Sequence, residues 1–404
     1  MSFKVLLVHE YYRSSAPSGE DKVFDHERRL LKSKGIEIET VYFKNDLIGG
    51  ENGFSVVKAA LYTPWSPFGI KTIKNSIHSF QPQIVHFHNT FPLISPSAIW
   101  KAKSLGVAIV QTLHNFRHIC AGALLLREGS TCTLCVDRFP IHSLRFRCYR
   151  NSFVATLPLF FCIVLHRMIN TWKSKVDAFI VLSEFNKKLF IKAGFPEEKI
   201  YIKPNFFYDA DSYCSIKEPY WVFIGRLKEE KGVQFLPSVW QKLGQHAPRL
   251  HILGDGPLRN WLKQQIRKLG LQSKITLHGH VNSEIVNTFL QKASCLVFPS
   301  LCYEGFPLVI GEAFRAGVPV AVSNIGTPKD IVKDGFTGIH FKPGNVDDMV
   351  RKLRELAINS DRLRDMSRNA RQEYEQQYTP SKNFSMLMKI YKDVLEKSSG
   401  KTRI

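Results

Sequence analysis

The chain has 404 residues, 44% of them hydrophobic and 23% charged, so it reads as a globular protein long enough for two cores, not a disordered one. Its net charge is +21, and residues 101–205 carry 16 Lys/Arg against 6 Asp/Glu, about half of the excess in a quarter of the sequence. No helix-turn-helix, RNP or C2H2 pattern accompanies that charge, which sets nucleic acid aside and leaves an anionic membrane surface, an anionic substrate or a solubilising face.

The first apolar run, Val5 to Val8, is flanked by Lys4 and His9. It suits a buried strand and is too short for a signal peptide, so the chain is expected in the cytosol. The eight cysteines are then expected as thiols or metal ligands, not disulfides. Further strands are expected at Glu37–Tyr42, Ile84–Phe87, Ala108–Thr112, Ala178–Leu182 and Lys199–Ile202. A second series follows at Tyr220–Ile224, Leu250–Leu253, Ile275–His278, Cys295–Phe298, Val318–Val322 and Gly338–Phe341. Helical patterns such as Pro257–Leu269 and Asp347–Leu356 lie between them. Short apolar strands alternating with helices predict parallel sheets covered on both faces. The expected fold is α/β, with two Rossmann-like doubly wound domains facing a central cleft. The expected domains are 1–206, with a cysteine-containing insertion at about 115–150, then 217–378, with a final helix over 379–404 crossing back to the first. Phe153–Leu165 is the longest apolar stretch. It is too short to span a bilayer and contains Pro158, so it is either a buried helix or an interfacial one flanked by Arg138, Arg145, Arg147, Arg150, Arg167, Lys173 and Lys175.

In such folds ligands meet the carboxyl ends of strands. After Tyr220–Ile224 come Arg226 and Lys231, two cations suited to a diphosphate, or else a solvated basic loop. After Cys295–Phe298 come Glu304 and Glu312, with Gly305, Phe306 and Pro307 just beyond the first acid. If that tripeptide opens a helix, its first amides, near Leu308 and Val309, can hold phosphate or sugar oxygens. After Ala108–Thr112 stands His114, at a position either structural or facing the cleft. Cys120, Cys132, Cys135 and Cys148 follow in a C-x11-C-x2-C-x12-C spacing, readable as a four-thiolate zinc site or as free thiols.

The string from Glu304 to Glu312 resembles the E-x7-E signature of family 4 retaining glycosyltransferases of the GT-B fold. Gly225-Arg226-Leu227 with Lys231-Gly232 is similar to that family's diphosphate-binding segment, and Gly254-Asp255-Gly256-Pro257 to its G-x-G-P turn. Ile325 to Asp330 resembles a later G-G-x-x-E segment, departing from it at Thr327 and Asp330. The family's Gly-Gly loop reads here Ala16-Pro17-Ser18-Gly19, with one glycine kept. The resemblance implies a nucleotide-diphosphate sugar donor of UDP or GDP type and retention at the anomeric carbon. It implies no cofactor for catalysis, zinc being at most structural, and no nucleic acid partner. Donor phosphates would meet Gly19, Arg226, Lys231 and the backbone near Leu308. The sugar would meet Glu304 and His114, and the ribose Glu312. The acceptor would be a glycan or lipid-linked glycan of surface polysaccharide, handled in the cytoplasm or at the inner face of its membrane. A nucleotide-sugar epimerase, a phosphorylase and a non-catalytic zinc-containing binding module are the alternatives.

Overall fold

In the computed structural model, residues 3–15, 18–49, 53–209, 214 and 216–400 are described. The chain forms two compact units, one of residues 1–125, 133–204 and 383–404, the other of residues 126–132 and 205–382. Each holds one six-stranded parallel sheet.

The first unit's strands are β1 (Lys4–Tyr11), β2 (Glu37–Lys44), β3 (Ile84–Phe87), β4 (Ala108–Thr112), β5 (Ala178–Val181) and β6 (Ile200–Ile202). Their order is β2-β1-β3-β4-β5-β6. β3, β4 and β5 are buried along their whole length, as expected of a sheet covered on both faces. One covering layer includes the helix Pro380–Gly400, whose Leu387, Ile390, Tyr391 and Val394 join Val5, Leu7, Val110 and Ile180 in one core cluster. Truncating such a residue to alanine typically costs about 2–5 kcal/mol, so this helix is part of the first unit's core.

The second unit's strands are β7 (Glu218–Ile224), β8 (Arg249–Leu253), β9 (Ile275–Gly279), β10 (Ala293–Phe298), β11 (Val320–Ser323) and β12 (Gly338–Phe341). Their order is β9-β8-β7-β10-β11-β12. The strand order reverses between β7 and β10, which places the ligand-binding crevice of this kind of sheet at their carboxyl ends. Trp221, Trp240, Leu250, Ile252, Val297 and Leu353 anchor its core.

The stretch Phe153–Leu165 lies in a single helix, Phe153–Met168. Both readings of it meet there. Phe160 is buried with Leu159, Cys162 and Ile163, whereas Phe153, Val154, Phe161 and Met168 are exposed, the last two at 54% and 74%. Val154, Phe161 and Met168 lie seven residues apart and so share one face. Among the described residues no helix is long and apolar enough to cross a membrane.

Candidate active site

In the second unit the loop after β7 is pulled against the loop after β10. The Leu301 amide donates to the Glu230 carbonyl at 2.9 Å, and the Ser300 hydroxyl donates to the same carbonyl at 3.1 Å. Gly232 makes this possible. It sits at φ +69°, and a Cβ there would come within 1.9 Å of the Pro299 carbonyl oxygen. Gly254 does the same for the next turn, where a Cβ would lie 1.9 Å from the Gly225 carbonyl. The two glycines thus let three strand-end loops stack backbone to backbone.

The consequence is a partly buried ion pair. Lys231 Nζ donates to Glu304 Oε1 at 2.6 Å, and the Ser300 hydroxyl donates to the same oxygen at 2.8 Å. Burial alone would pull the Lys231 ammonium down, but Glu304 outweighs it and holds the ammonium above its ordinary value. Burial would likewise raise Glu304, and Lys231 outweighs it, so the carboxyl is held low and ionised. The Thr327 hydroxyl fixes the Glu304 backbone by donating to its carbonyl at 2.7 Å. Arg226 is exposed on the loop after β7. Gly305 and Phe306 precede a helix, Leu308–Arg315, whose N-cap is Pro307 and offers no side-chain acceptor to the first turn. The amides near Leu308 and Val309 are therefore those a ligand oxygen can satisfy. Glu312 lies a turn further along that helix and is half-buried. The structure thus brings Lys231 and Glu304 into contact and sets Arg226, Leu308, Val309 and Glu312 on the elements that flank them.

In the first unit Gly19 opens the helix Gly19–Ser33, with Ser18 and Asp21 forming a capping box. Ala16 and Pro17 of the predicted glycine loop lie outside the described residues. His114 follows β4 and is buried, its Nε2 2.9 Å from His88 Nδ1. Neighbouring Asn115 donates to Glu20 Oε1 at 2.7 Å, while Glu20 Oε2 is buried with no hydrogen-bond partner among the described residues. Burial pushes the Glu20 carboxyl up to about 7. Glu20, Glu27 and His88 were not among the residues expected from the sequence. The available signal was a pair of acids seven apart on one helix and a His-x-His that begins inside the buried strand β3 and ends just past it.

Among the described residues, Glu27, His86 and His88 are the group close enough together to hold a metal ion. Cys120, Cys135 and Cys148 of the first unit do not form such a group, and Cys132 belongs to the second unit. None of the four is in a disulfide, and a zinc assignment rests on their spacing.

Comparison with known proteins decides the family. The family described as Glycosyltransferase Family 4 matches residues 23–210, and that described as Glycosyl transferases group 1 matches residues 214–373. The chain belongs to glycosyltransferase family 4. Over 176 residues this glycosyltransferase is 30% identical to an uncharacterized glycosyltransferase of Methanocaldococcus jannaschii, covering 43% of this chain and 45% of the relative. Over 219 residues it is 26% identical to the alpha-D-kanosaminyltransferase of Streptomyces kanamyceticus, covering 50% of this chain and 56% of the relative. The chain thus spans about half the length of the curated relatives it matches, at 45% and 56%. Its fold is that of the Anabaena protein Alr3699/HepE solved in complex with UDP, with TM-score 0.65, 16% identity, and 96% of this chain and 100% of that one covered. Its two parallel-sheet α/β domains are therefore of the GT-B type.

Proposed function

We propose that this enzyme transfers a sugar, with retention, from a nucleoside-diphosphate sugar to a hydroxyl of a glycan or lipid-linked glycan in surface polysaccharide synthesis. The observation that carries this reading is the Lys231–Glu304 pair, 2.6 Å apart at the point where the second sheet reverses its strand order. A cation and an ionised acceptor side by side match a diphosphate joined to a polyhydroxylated sugar. Arg226 and the first-turn amides near Leu308 add positive charge for the leaving diphosphate, so no divalent metal is needed for catalysis. In the reaction the anomeric carbon–phosphate oxygen bond breaks and a bond to the acceptor oxygen forms. The acceptor proton passes to the departing phosphate, and donors aimed at that phosphate stabilise the developing charge. The UDP held by the Anabaena neighbour supports a nucleotide donor.

The test is a panel of UDP-, GDP- and ADP-sugars. One of them should raise Tm and yield nucleoside diphosphate in equal amount with a new glycosidic bond. An epimerised nucleotide sugar, a sugar phosphate, or binding without turnover would each replace this reading by the corresponding alternative.

The acceptor reading carries a membrane component. The exposed face of Phe153, Val154, Phe161 and Met168 lies on the same unit as exposed Phe139 and Ile141 and as Arg138, Arg145, Arg147 and Arg150, also exposed. Apolar side chains beside cations suit the inner face of an anionic cytoplasmic membrane, at about 1 kcal/mol per cation near the surface. The protein should sediment with anionic vesicles at low salt and be released by salt. Replacing those four arginines by glutamine should weaken binding at least tenfold on that scale. A protein that stays in the supernatant at low salt has no such attachment, and its acceptor is soluble.

A further inference from the structure

Behind His114 lies a buried chain of polar groups that none of the donor contacts explains. Lys203 Nζ is 2.8 Å from Glu27 Oε2 and 3.2 Å from Asn383 Oδ1. Glu27 Oε1 faces two imidazoles, with His88 Nε2 at 3.2 Å and His86 Nδ1 at 3.3 Å. His86 is held in turn by the Tyr391 hydroxyl at 2.7 Å and the Thr112 hydroxyl at 2.8 Å. On the far side His88 Nδ1 is 2.9 Å from His114 Nε2. His9, paired with Asp21 at 2.9 Å, packs edge-on against His88. The Glu27–His86–His88 trio has cation-ligating groups, but the Lys203 ammonium already supplies the positive charge beside Glu27.

The protons along this chain can be placed in order. Although burial opposes it, Lys203 and the histidines hold Glu27 as a carboxylate. A carboxylate oxygen cannot face an imidazole lone pair in a dry interior, so His88 carries its proton on Nε2. The contact is a close electrostatic approach and not a hydrogen bond, since among the described residues neither Glu27 Oε1 nor His88 Nε2 has a hydrogen-bond partner. Burial keeps His88 from taking a second proton, and the same holds for His114. His88 Nδ1 is then a lone pair, and His114 must donate to it from Nε2. That leaves His114 Nδ1 as a lone pair as well. It is buried and has no partner among the described residues.

We propose that Glu27 and His88 are positioning residues that fix the tautomer of His114. Its Nδ1 then acts as a hydrogen-bond acceptor that recognises a substrate hydroxyl and turns away a phosphate oxygen. This rests on the reading of His114 as facing the reacting sugar. The relay reverses in one substitution. In Glu27→Gln the Lys203 ammonium keeps the side-chain carbonyl, so the amide NH2 points at His88. His88 must then accept at Nε2 and donate from Nδ1, His114 must accept at Nε2, and His114 Nδ1 becomes a donor.

Long-range ¹H–¹⁵N spectra of protein labelled at histidine read these tautomers directly. In the parent, His114 and His88 should both be neutral and protonated at Nε2 between pH 6 and 8. Glu27→Gln should move both protons to Nδ1. It should also lower kcat about tenfold or more, the scale of mispairing one buried hydrogen bond, while leaving the Kd of the nucleoside diphosphate unchanged. Donor analogues in which fluorine, which cannot donate, replaces one sugar hydroxyl in turn should show one position that the parent discriminates against and Glu27→Gln does not. A parent His114 protonated at Nδ1, or an unmoved tautomer in Glu27→Gln, overturns the proposal. Should Glu27→Gln fail to fold, the parent spectrum alone decides. If no nucleotide sugar is turned over, the sugar-transfer reading fails while the tautomer result still stands or falls by the spectrum.

Discussion

Replacing Arg226 or Lys231 by alanine is expected to lower kcat/KM for sugar transfer by about 30- to 1000-fold, or about 2–4 kcal/mol, the scale of losing a charged donor at a reacting oxygen. The two variants should differ in stability. Arg226 is exposed, so its loss should leave Tm near the parent value. Lys231 is the cation of a partly buried pair whose side chains are 17% and 14% exposed, so its loss leaves the Glu304 carboxylate without its nearest counter-charge. That variant should melt earlier, and adding Glu304→Gln should recover stability without recovering transfer. Steady-state kinetics and thermal melts on the three variants check this. Unchanged kcat/KM in both single variants removes the diphosphate assignment.

The two acids should separate in a different way. Glu304→Gln is expected to slow transfer about a hundredfold, because a neutral amide at the Lys231 contact weakens the acceptor offered to the donor sugar. Nucleoside diphosphate affinity should change little. Glu312→Gln is expected to weaken nucleoside diphosphate binding about tenfold, as for loss of a charged acceptor to a ribose hydroxyl, with a smaller effect on kcat. Calorimetry against the nucleotide and initial rates against the nucleotide sugar separate the effects. A Glu304→Gln enzyme working at the parent rate rules out the donor-sugar role.

The sheets were legible in the sequence because buried parallel strands are short apolar runs bounded by turns. Ile84–Phe87 and Gly338–Phe341 stand at the predicted residues, and β1 and β2 run only a few residues longer than expected. The loop residues Arg226, Lys231, Glu304 and Glu312 were legible for a related reason. They follow strands directly, and a doubly wound sheet collects its strand ends at one edge. Adjacency along the chain does not say which side chains touch. The Lys231–Glu304 contact spans 73 positions and depends on Gly232 admitting the Pro299 carbonyl. Periodicity showed that Phe153–Leu165 is apolar, but only packing divided it into a buried face with Phe160 and an exposed one with Phe161. The chain from Lys203 through Glu27 and His88 to His114 was the least legible part. Lys203 and Glu27 are 176 positions apart, and no local pattern marks a carboxylate whose partners arrive from different strands. Composition, period and turn residues determined which elements form and in what order. The tertiary structure alone decided which buried charges meet, because a dry interior requires each to find its partner and places no limit on how far along the chain that partner lies.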